Sequence, residues 1–455
     1  MSESTTQTAE GFTAKLIEKT IDKLAVGISE SEDLSIYRVP NKLREVKADA
    51  YNPRVVSIGP FHRGHQDLAP MEKYKSLYVL RFFQYTKTPQ ETRICLEDCT
   101  KALYDLDKQV RRCYSEEIKH IDNTLTEVML LDGCFILELF LRYDQHCLNM
   151  KLKGKVDPIF NNAWMIPALR QDLALLENQI PFIVLKKLYQ IIRPSVVNHY
   201  TPPNSVTSLA LKFFQPMNNK ALAGDTEDCN HLLDLLHKFC FLPTKLAPLN
   251  QILSTSHIVP IRISGILGFN HAASELLWYG VEFEKGSMEG NLLDIAFQRG
   301  VIKIPPVFID NTTDSLFRNL IAFEQCHLNS SHHITSYVIF LKSLIRSKED
   351  IKLLQRRGII DQNWGGEDQF LSNFGTILDQ VHPKDFHFDH LCEVVNCYRK
   401  SWFHWQTHKV FWTVRLKYLY QTYFSTAWSM ISFIAAFCLF VLTITQTYFA
   451  IHPAH

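Results

Sequence analysis

The sequence predicts a mainly α-helical protein. It comprises a large helical cytosolic body, a small antiparallel β element at about 281–309 and one C-terminal transmembrane helix. Three observations lead to this fold class. Apolar residues recur at helical spacing over much of the chain, alternating patterns appear near 281–309, and an uncharged apolar run lies close to the C-terminus. With 46% hydrophobic and 21% charged residues, the composition is typical of a globular protein.

Net charge, cysteine content and the first residues indicate which partners and which compartment to expect. The net charge of +1 gives no reason to expect a nucleic-acid partner, because nucleic-acid binders carry a basic excess. The 11 cysteines are odd in number and irregularly spaced, which favours reduced thiols over a disulfide framework. The first residues, "MSESTTQTAEGF", lack the apolar region of a secretory signal.

From the first half of the sequence we predict a mobile leader at 1–35 and the first part of a helical core at 36–193. A helix is expected to begin near Met71, after a stretch rich in proline and glycine. The later run "LTEVMLLDGCFILELFLRY" is apolar nearly all round, as expected of a central buried helix.

The second half predicts a surface excursion at 194–230, rich in turn residues, and a second helical core part at 231–384 that contains the small sheet. Two prolines, Pro305 and Pro306, are expected to confine the last strand to an edge. Farther on, Ser347 and Asp350 form a capping pair for a helix that Gly358 should stop.

The C-terminal region predicts a juxtamembrane helical segment at 385–426, a transmembrane helix at 427–449 and a short tail at 450–455. The proposed span has 23 residues, of which 17 are apolar and none is charged. A helix of that length crosses a hydrocarbon layer about 30 Å thick. A buried core helix is the alternative interpretation.

The residues before this span favour an anchor. No acidic residue follows Glu393, so the flank is basic and places the body in the cytosol, at the plasma membrane or an endomembrane. Membrane lipid is then the expected partner of the C-terminal helix. The same basic and aromatic mixture also grips single-stranded nucleic acid, but its place beside a span argues against that. The predicted membrane-interface residues are Arg399, Lys400, Trp402, Trp405, Lys409, Trp412, Arg415, Lys417 and Trp428.

Three carboxylates stand in apolar surroundings: Asp132, Glu138 and Glu177. Buried acids can acquire pKa values suited to general acid or base catalysis, or they can accept structural hydrogen bonds. Glu177 is followed by Asn178 and Gln179 in "LLENQIPFIVL".

In that stretch Pro181 disfavours a continuous helix. We therefore expect a break at 178–181, where polar side chains brace two core helices. Asp132, Glu177, Asn178 and Gln179 are the candidate structural or ligand-contacting residues.

Signatures of catalysis are weak. Phosphate-binding, zinc-protease, hydrolase-elbow and kinase motifs are absent from the sequence. His387, His390, Cys392 and Cys397 match no standard zinc spacing. We expect no catalytic, metal or cofactor site and identify no small-molecule substrate. The sequons at Asn311 and Asn329 are expected to be a helix cap and a loop.

Several ordered motifs closely resemble one plant family. They are "YRVP", "VVSIGPFHRG", "LLDGCFILELF", "LLENQIPFIVL", "LLDIAFQRGVIKIPPVFIDNTTDSLFRNLIAFEQ" and "RRGII". This set is similar to domain of unknown function 247, from about Tyr37 to the C-terminus. The resemblance implies a mostly helical, membrane-anchored plant protein without established catalytic residues. It also implies recognition or signalling, since some grass members are implicated in self-incompatibility.

The sequence thus predicts a non-enzymatic interaction protein held at a membrane. Two alternatives stay open. One is an enzyme of unknown type that uses a buried carboxylate such as Glu177 or Asp132. The other is a lipid-binding or membrane-organising protein that uses the aromatic and basic residues 399–428.

Overall fold

Helices account for most of the protein in this computed structural model. The described residues are 34–116, 118, 125–148, 150, 157–217, 229–238, 268–287, 291–327, 331–362, 366–401, 435, 439–443 and 445–446. The first helices are α1 (Asn41–Val46), α2 (Ala69–Phe83), α3 (Pro89–Arg112), α4 (Leu125–Cys147), α5 (Met165–Leu173), α6 (Phe182–Val197), α7 (Val206–Phe214) and α8 (Leu232–Leu236).

The second half adds further helices and short strands. The helices are α9 (Ala273–Trp278), α10 (Asn311–Cys326), α11 (His333–Leu344), α12 (Lys348–Arg356), α13 (Glu367–Gly375) and α14 (Asp389–Ser401). The strands are β1 (Glu282–Lys285), β2 (Ala296–Gln298), β3 (Val301–Ile304), β4 (Val307–Ile309) and β5 (Ile360–Gln362). Short 3₁₀ helices lie at Ala48–Ala50, Gln66–Leu68 and Gln215–Met217.

Helix α4 is the centre of the first half, as its all-round apolar sequence predicts. Every residue from 132 to 142 is buried, and α2, α3, α6 and α7 pack around the helix. Gly133 allows α6 to approach closely, because a Cβ there would lie 2.5 Å from Leu188 Cδ1. The prediction of a central buried helix is confirmed.

Helix α10 joins the two halves. It packs on α11 and β4, and also on α5 and the 3₁₀ helix Ala48–Ala50 of the first half. Asp310 caps it by accepting hydrogen bonds from the N–H groups of Thr312 and Thr313. Asn311 is thus the first helical residue and Asp310 is the cap, while Asn329 lies outside the described residues.

The β element differs from the predicted antiparallel sheet. Strand β3 pairs with β2 antiparallel but with β1 in parallel, so the three-stranded sheet is mixed. Strand β4 leaves it after Pro305 and Pro306, which have no N–H to donate, and pairs in parallel with β5. The pairing of β4 with a strand that lies about 50 residues away was not evident from the local alternation.

Local helix signals in the sequence are mostly confirmed. The Ser347 and Asp350 side chains form the predicted capping box of α12, which ends just before Gly358. A helix begins at Ala69, close to the predicted Met71. Within the predicted surface excursion at 194–230, the structure contains α7, whose apolar side chains are buried against α4. The apolar run of α7 outweighed its turn-rich flanks.

The predicted C-terminal anchor is wrong. Within the part of the chain that the structure describes, no helix combines the length and apolar character that crossing a bilayer requires. Most of 427–449 lies outside that part, and its described residues, 435, 439–443 and 445–446, are helical and exposed. An uncharged apolar run has the composition of a span, but composition alone does not establish a helix long enough to cross a bilayer. The transmembrane helix, the tail-anchored location and the lipid partner are therefore withdrawn.

Candidate functional site

Glu177 lies between α5 and α6, in the break that ends at Pro181, the N-cap residue of α6. Its side chain is 2% exposed. Oε1 accepts the backbone N–H of Val39 at 2.7 Å and pairs with Arg44 Nη2 at 2.6 Å. Oε2 pairs with Arg38 Nη1 at 3.2 Å. Two guanidinium groups and one amide thus satisfy a carboxylate whose burial would otherwise cost several kcal/mol.

His62 lies beside this carboxylate as a neutral ring. Its Nε2 is 3.5 Å from Glu177 Oε2, and burial lowers the pKa of His62 to about 4 despite that neighbour. On the solvent side, the Arg38 guanidinium lies 4.1 Å from the Phe61 ring centroid. It also pairs with exposed Glu116 at 3.2 Å. Arg38 therefore connects the buried carboxylate to the surface.

Asn178 is fully buried and holds two backbone segments together. Its Oδ1 accepts the N–H of Ile58 at 2.7 Å, and its Nδ2 donates to the carbonyl oxygens of Val56 and Asp172 at 3.0 and 2.9 Å. Residues 56–58 form no helix or strand, so their amide groups need partners from elsewhere. The Asn178 amide supplies them.

Gln179 satisfies the end of α5. Its Nε2 donates to the carbonyl oxygens of Leu173 and Leu175, both at 2.8 Å, which the helix end leaves without intrahelical partners. Its Oε1 accepts the N–H of Leu233 at the start of α8 at 3.3 Å. Its backbone oxygen accepts the Tyr114 hydroxyl at 3.1 Å. One side chain thus connects α5 with α8.

Asp132 reaches the same region from α4. Its Oδ2 accepts the Gly59 N–H at 2.8 Å, and its Oδ1 accepts Lys75 Nζ from α2 at 2.7 Å. Burial raises the pKa of Asp132, and the Lys75 ammonium opposes that rise. Gly59 has a φ of 74°, and a Cβ there would lie 2.4 Å from the Gln179 carbonyl oxygen. This position therefore requires glycine.

Asp172, near the end of α5, was not a candidate from the sequence. Its carboxylate accepts the backbone N–H groups of Arg54, Val55 and Val56 at 2.6 to 3.1 Å. Burial raises the pKa of Asp172 to about 6, and these backbone donors oppose the rise. In sequence it is an acid in a mixed helical pattern, and its partners lie more than 110 residues earlier, so no local signal marks it.

We call five buried polar side chains the brace: Asp132, Asp172, Glu177, Asn178 and Gln179. Four of them fix the N-terminal segment, residues 34–62, because Asp132, Asp172, Glu177 and Asn178 accept its N–H groups at Val39, Arg54, Val55, Val56, Ile58 and Gly59. The fifth, Gln179, connects the end of α5 with α8. Buried amides without partners cost about 1–3 kcal/mol each, so the brace makes a buried coil possible.

Glu138 belongs to a separate cluster. Its Oε1 accepts Arg142 Nε at 2.7 Å, and Arg142 Nη1 donates to Asp157 at 2.6 Å. Tyr78 and Arg81 of α2 donate to the same Asp157, each at 2.8 Å. Burial raises the pKa of Glu138 to about 7, although Arg142 opposes the rise. With this pKa, the Glu138 carboxyl is a candidate for a group that gains and loses its proton near neutral pH.

Metal and interface candidates are not brought together. Within the described ranges, no group of three or more His, Cys, Asp or Glu side chains is arranged to hold a metal ion. Of the residues in the weak zinc pattern, Cys392 is buried and Cys397 is exposed. Among the predicted membrane-interface residues, Arg399 and Lys400 belong to the end of α14, and the others lie outside the described residues.

The comparisons identify relatives rather than a reaction. A plant protein family of unknown function, DUF247, matches residues 36–442. The UPF0481 protein At3g47200 of Arabidopsis thaliana is 29% identical, and the alignment covers 92% of this chain and 87% of the relative. A second Arabidopsis thaliana UPF0481 protein, At3g02645, is 22% identical, with 95% and 93% coverage. No solved structure matches.

Proposed function

This chain belongs to the plant family of unknown function DUF247, and from that premise we propose that it is a non-enzymatic interaction protein acting in recognition or signalling. Self-incompatibility, the role that the family resemblance implies for some grass members, is one form of recognition that the proposal includes. The protein's task in this view is to present a rigid surface to another molecule.

The observation that carries the proposal is the saturation of the brace. Glu177 accepts from one amide and two guanidinium groups, and Asp132 accepts from an amide and an ammonium group. A general base needs a lone pair directed at a substrate proton. Here the carboxylate oxygens of both residues are directed at the protein's own donors. This supports a structural use of the two acids named as catalytic candidates.

An enzyme is the rival, and Glu138 is the residue that favours it. A carboxyl whose pKa is about 7 exchanges its proton at working pH, as general acids and bases do. Against this, Glu138 is 1% exposed and held by Arg142 within the first-half core. Ion-pair networks also perturb pKa values, so the shift alone does not select catalysis.

The test compares Glu138→Gln with Glu97→Gln, a matched change at a 64% exposed site on α3. Glutamine resembles the protonated carboxyl in shape, so Glu138→Gln should fold. Full-length variants are expressed in the plant tissue, and thermal unfolding, neighbours by proximity labelling and the cellular phenotype are measured. We expect both variants to keep the wild-type neighbours and phenotype.

Two further results decide between an interaction protein and an enzyme. A labelled neighbour must form a complex of fixed stoichiometry with this chain when both are purified; if no neighbour does so, the interaction proposal is wrong. A folded Glu138→Gln variant that keeps its neighbours but loses the phenotype, while Glu97→Gln retains it, would establish the enzyme reading instead.

A further inference from the structure

A cleft in the second half lies away from the brace and has no role in the proposed function. Its volume is about 510 Å³, and it lies between α11 and α13. The apolar part of its lining comprises Ile339, Ile345, Leu371, Phe374 and Leu378. Sites for small molecules typically have volumes of about 300–1,000 Å³ and mostly apolar walls with a few polar groups. The cleft has both properties.

The polar side chains of its lining are Ser343 and two cations, Lys342 and Arg346. Arg346 donates through Nε, Nη1 and Nη2 to the carbonyl oxygens of Ser343, Asn270 and Phe269. These partners are neutral and use three of the five N–H groups of a guanidinium, so among the described residues two N–H groups and the full charge stay available to a ligand. The donors are held in place because the three carbonyls fix the plane of the group.

Lys342, in the last turn of α11 and four residues before Arg346, contributes the second charge. Its Nζ donates to the Gly375 carbonyl oxygen at 2.5 Å and lies 3.8 Å from Asp379 Oδ1. The Asp379 side chain is 51% exposed, so solvent weakens this contact. With Asp379 counted, the two cations still leave the cleft with one positive charge in excess.

Gly375 leaves open space at the wall. A Cβ added at position 375 would meet no described heavy atom within 4 Å. Leu371, one turn earlier on α13, lines the cleft with an apolar side chain. The glycine also ends α13 without a positive φ, so a larger residue can be placed here without backbone strain. The space beside it is thus available to a bound molecule.

We propose that this cleft binds a small molecule that carries an apolar body and one carboxylate. The carboxylate accepts hydrogen bonds from Arg346 and Lys342, and the apolar body packs on Leu371, Phe374 and Leu378. The positive charges of Lys342 and Arg346 in the lining select an anion, and the excess of one charge over Asp379 matches a molecule with one acidic group. This inference does not depend on the proposed function.

The experiment uses the full-length chain and decanoate as the probe, with decan-1-ol as the uncharged analogue of equal length and decyltrimethylammonium as the cation. Binding is measured by calorimetric titration below the aggregation concentration of each probe. We expect decanoate to bind at least about tenfold more tightly than either analogue, because hydrogen bonds to charged groups contribute strongly to affinity.

Two variants with matched controls place the binding in the cleft. Gly375→Leu fills it and should weaken decanoate at least about tenfold, while Gly375→Ala changes binding less than about twofold. Lys342→Gln should weaken decanoate about fivefold or more and leave decan-1-ol unchanged. Lys348→Gln is the charge control and should have no effect, because Lys348 does not line the cleft and its ammonium pairs with exposed Asp368 in the first turn of α13.

Each alternative result overturns the proposal. Equal affinity for decanoate and decan-1-ol rejects the acidic ligand, and unchanged binding to folded Gly375→Leu and Lys342→Gln places the ligand elsewhere. If decanoate does not bind and Gly375→Leu converts a dimeric chain to a monomer, the cleft receives a second copy. Thermal unfolding of every variant establishes that a loss of binding is not a loss of fold.

Discussion

The carboxylate of Glu177 accepts the backbone N–H of Val39 at 2.7 Å, across 138 residues of sequence. The same carboxylate holds Arg44, which follows Val39 in α1, so one buried side chain fixes both ends of a short N-terminal stretch. The stability of that stretch should therefore depend on a residue that belongs to another part of the chain.

Replacing Glu177 with Gln tests this dependence. The change removes the charge that compensates Arg38 and Arg44, and breaking a buried ion pair typically costs about 3–5 kcal/mol. Because both arginines are partly exposed, we expect a loss of about 2–4 kcal/mol in the free energy of unfolding, measured by urea denaturation. Glu116→Gln removes an exposed partner of Arg38 and should cost less than about 1 kcal/mol. Equal effects of the two changes would contradict the buried role of Glu177.

Gly59→Ala should be strongly destabilising. The added Cβ meets the Gln179 carbonyl oxygen at 2.4 Å, and φ is already 74°. Gly64→Ala is a matched control, because its φ of 84° is similar but no described heavy atom lies within 4 Å of the added Cβ. We expect about 1–2 kcal/mol for Gly64→Ala from the backbone alone, and at least about 2 kcal/mol more for Gly59→Ala. Similar losses of unfolding free energy in the two variants would contradict this prediction, because they would mean that the Gln179 carbonyl moves away from the added Cβ without cost.

Glu138 should make stability fall as the pH rises. Its pKa is raised by burial from an ordinary 4.5 to about 7, so the folded state holds the proton more tightly than the unfolded state. The stabilising contribution is fully present below about pH 4.5 and is lost as the pH rises through 7. Glu138→Gln should remove on the order of 1–3 kcal/mol of the decrease in unfolding free energy between pH 5 and 8. The slope of stability against pH is the measurement, and an unchanged slope in the variant contradicts the assignment.

His333 should act in the opposite direction. Its ring centroid lies 3.9 Å from that of His387, and burial together with that neighbour lowers the pKa of His333 to about 4. A depressed histidine pKa means that the unfolded state takes up the proton first, so stability is lost as the pH falls from about 6.5 towards 4. NMR titration should find the His333 ring neutral at pH 5. A His333 ring that titrates near the ordinary value of 6.5 would contradict the effect of burial.

The sequence predicted those features that depend on neighbours along the chain. The run that is apolar on all sides correctly predicted that α4 is buried. The pair Ser347 and Asp350 predicted the start of α12, and Pro181 predicted the break before α6. Each of these signals depends on backbone sterics or on periodicity within about 20 residues.

Features that depend on distant partners could not be predicted in this way. Asp172 is identified as part of the brace only by amides at 54–56, and β4 is completed by β5 about 50 residues later. The apolar content of the C-terminal run predicted a membrane span, but within the described residues no helix is long and apolar enough to cross a membrane. A single sequence shows the conformational propensity of each residue and the periodicity of its apolar positions. Tertiary packing decides which distant segment a residue contacts.

The brace also has a consequence for synthesis. The amides of Val39 and Gly59 leave the ribosome 138 and 73 residues before the carboxylates that accept them. At about 5–20 residues per second, the wait for Glu177 is roughly 7–28 s. During that interval the N-terminal segment has no native acceptors for these amides, and it is accessible to chaperones and proteases. The order of the motifs along the chain therefore means that these amides emerge well before the side chains that secure them.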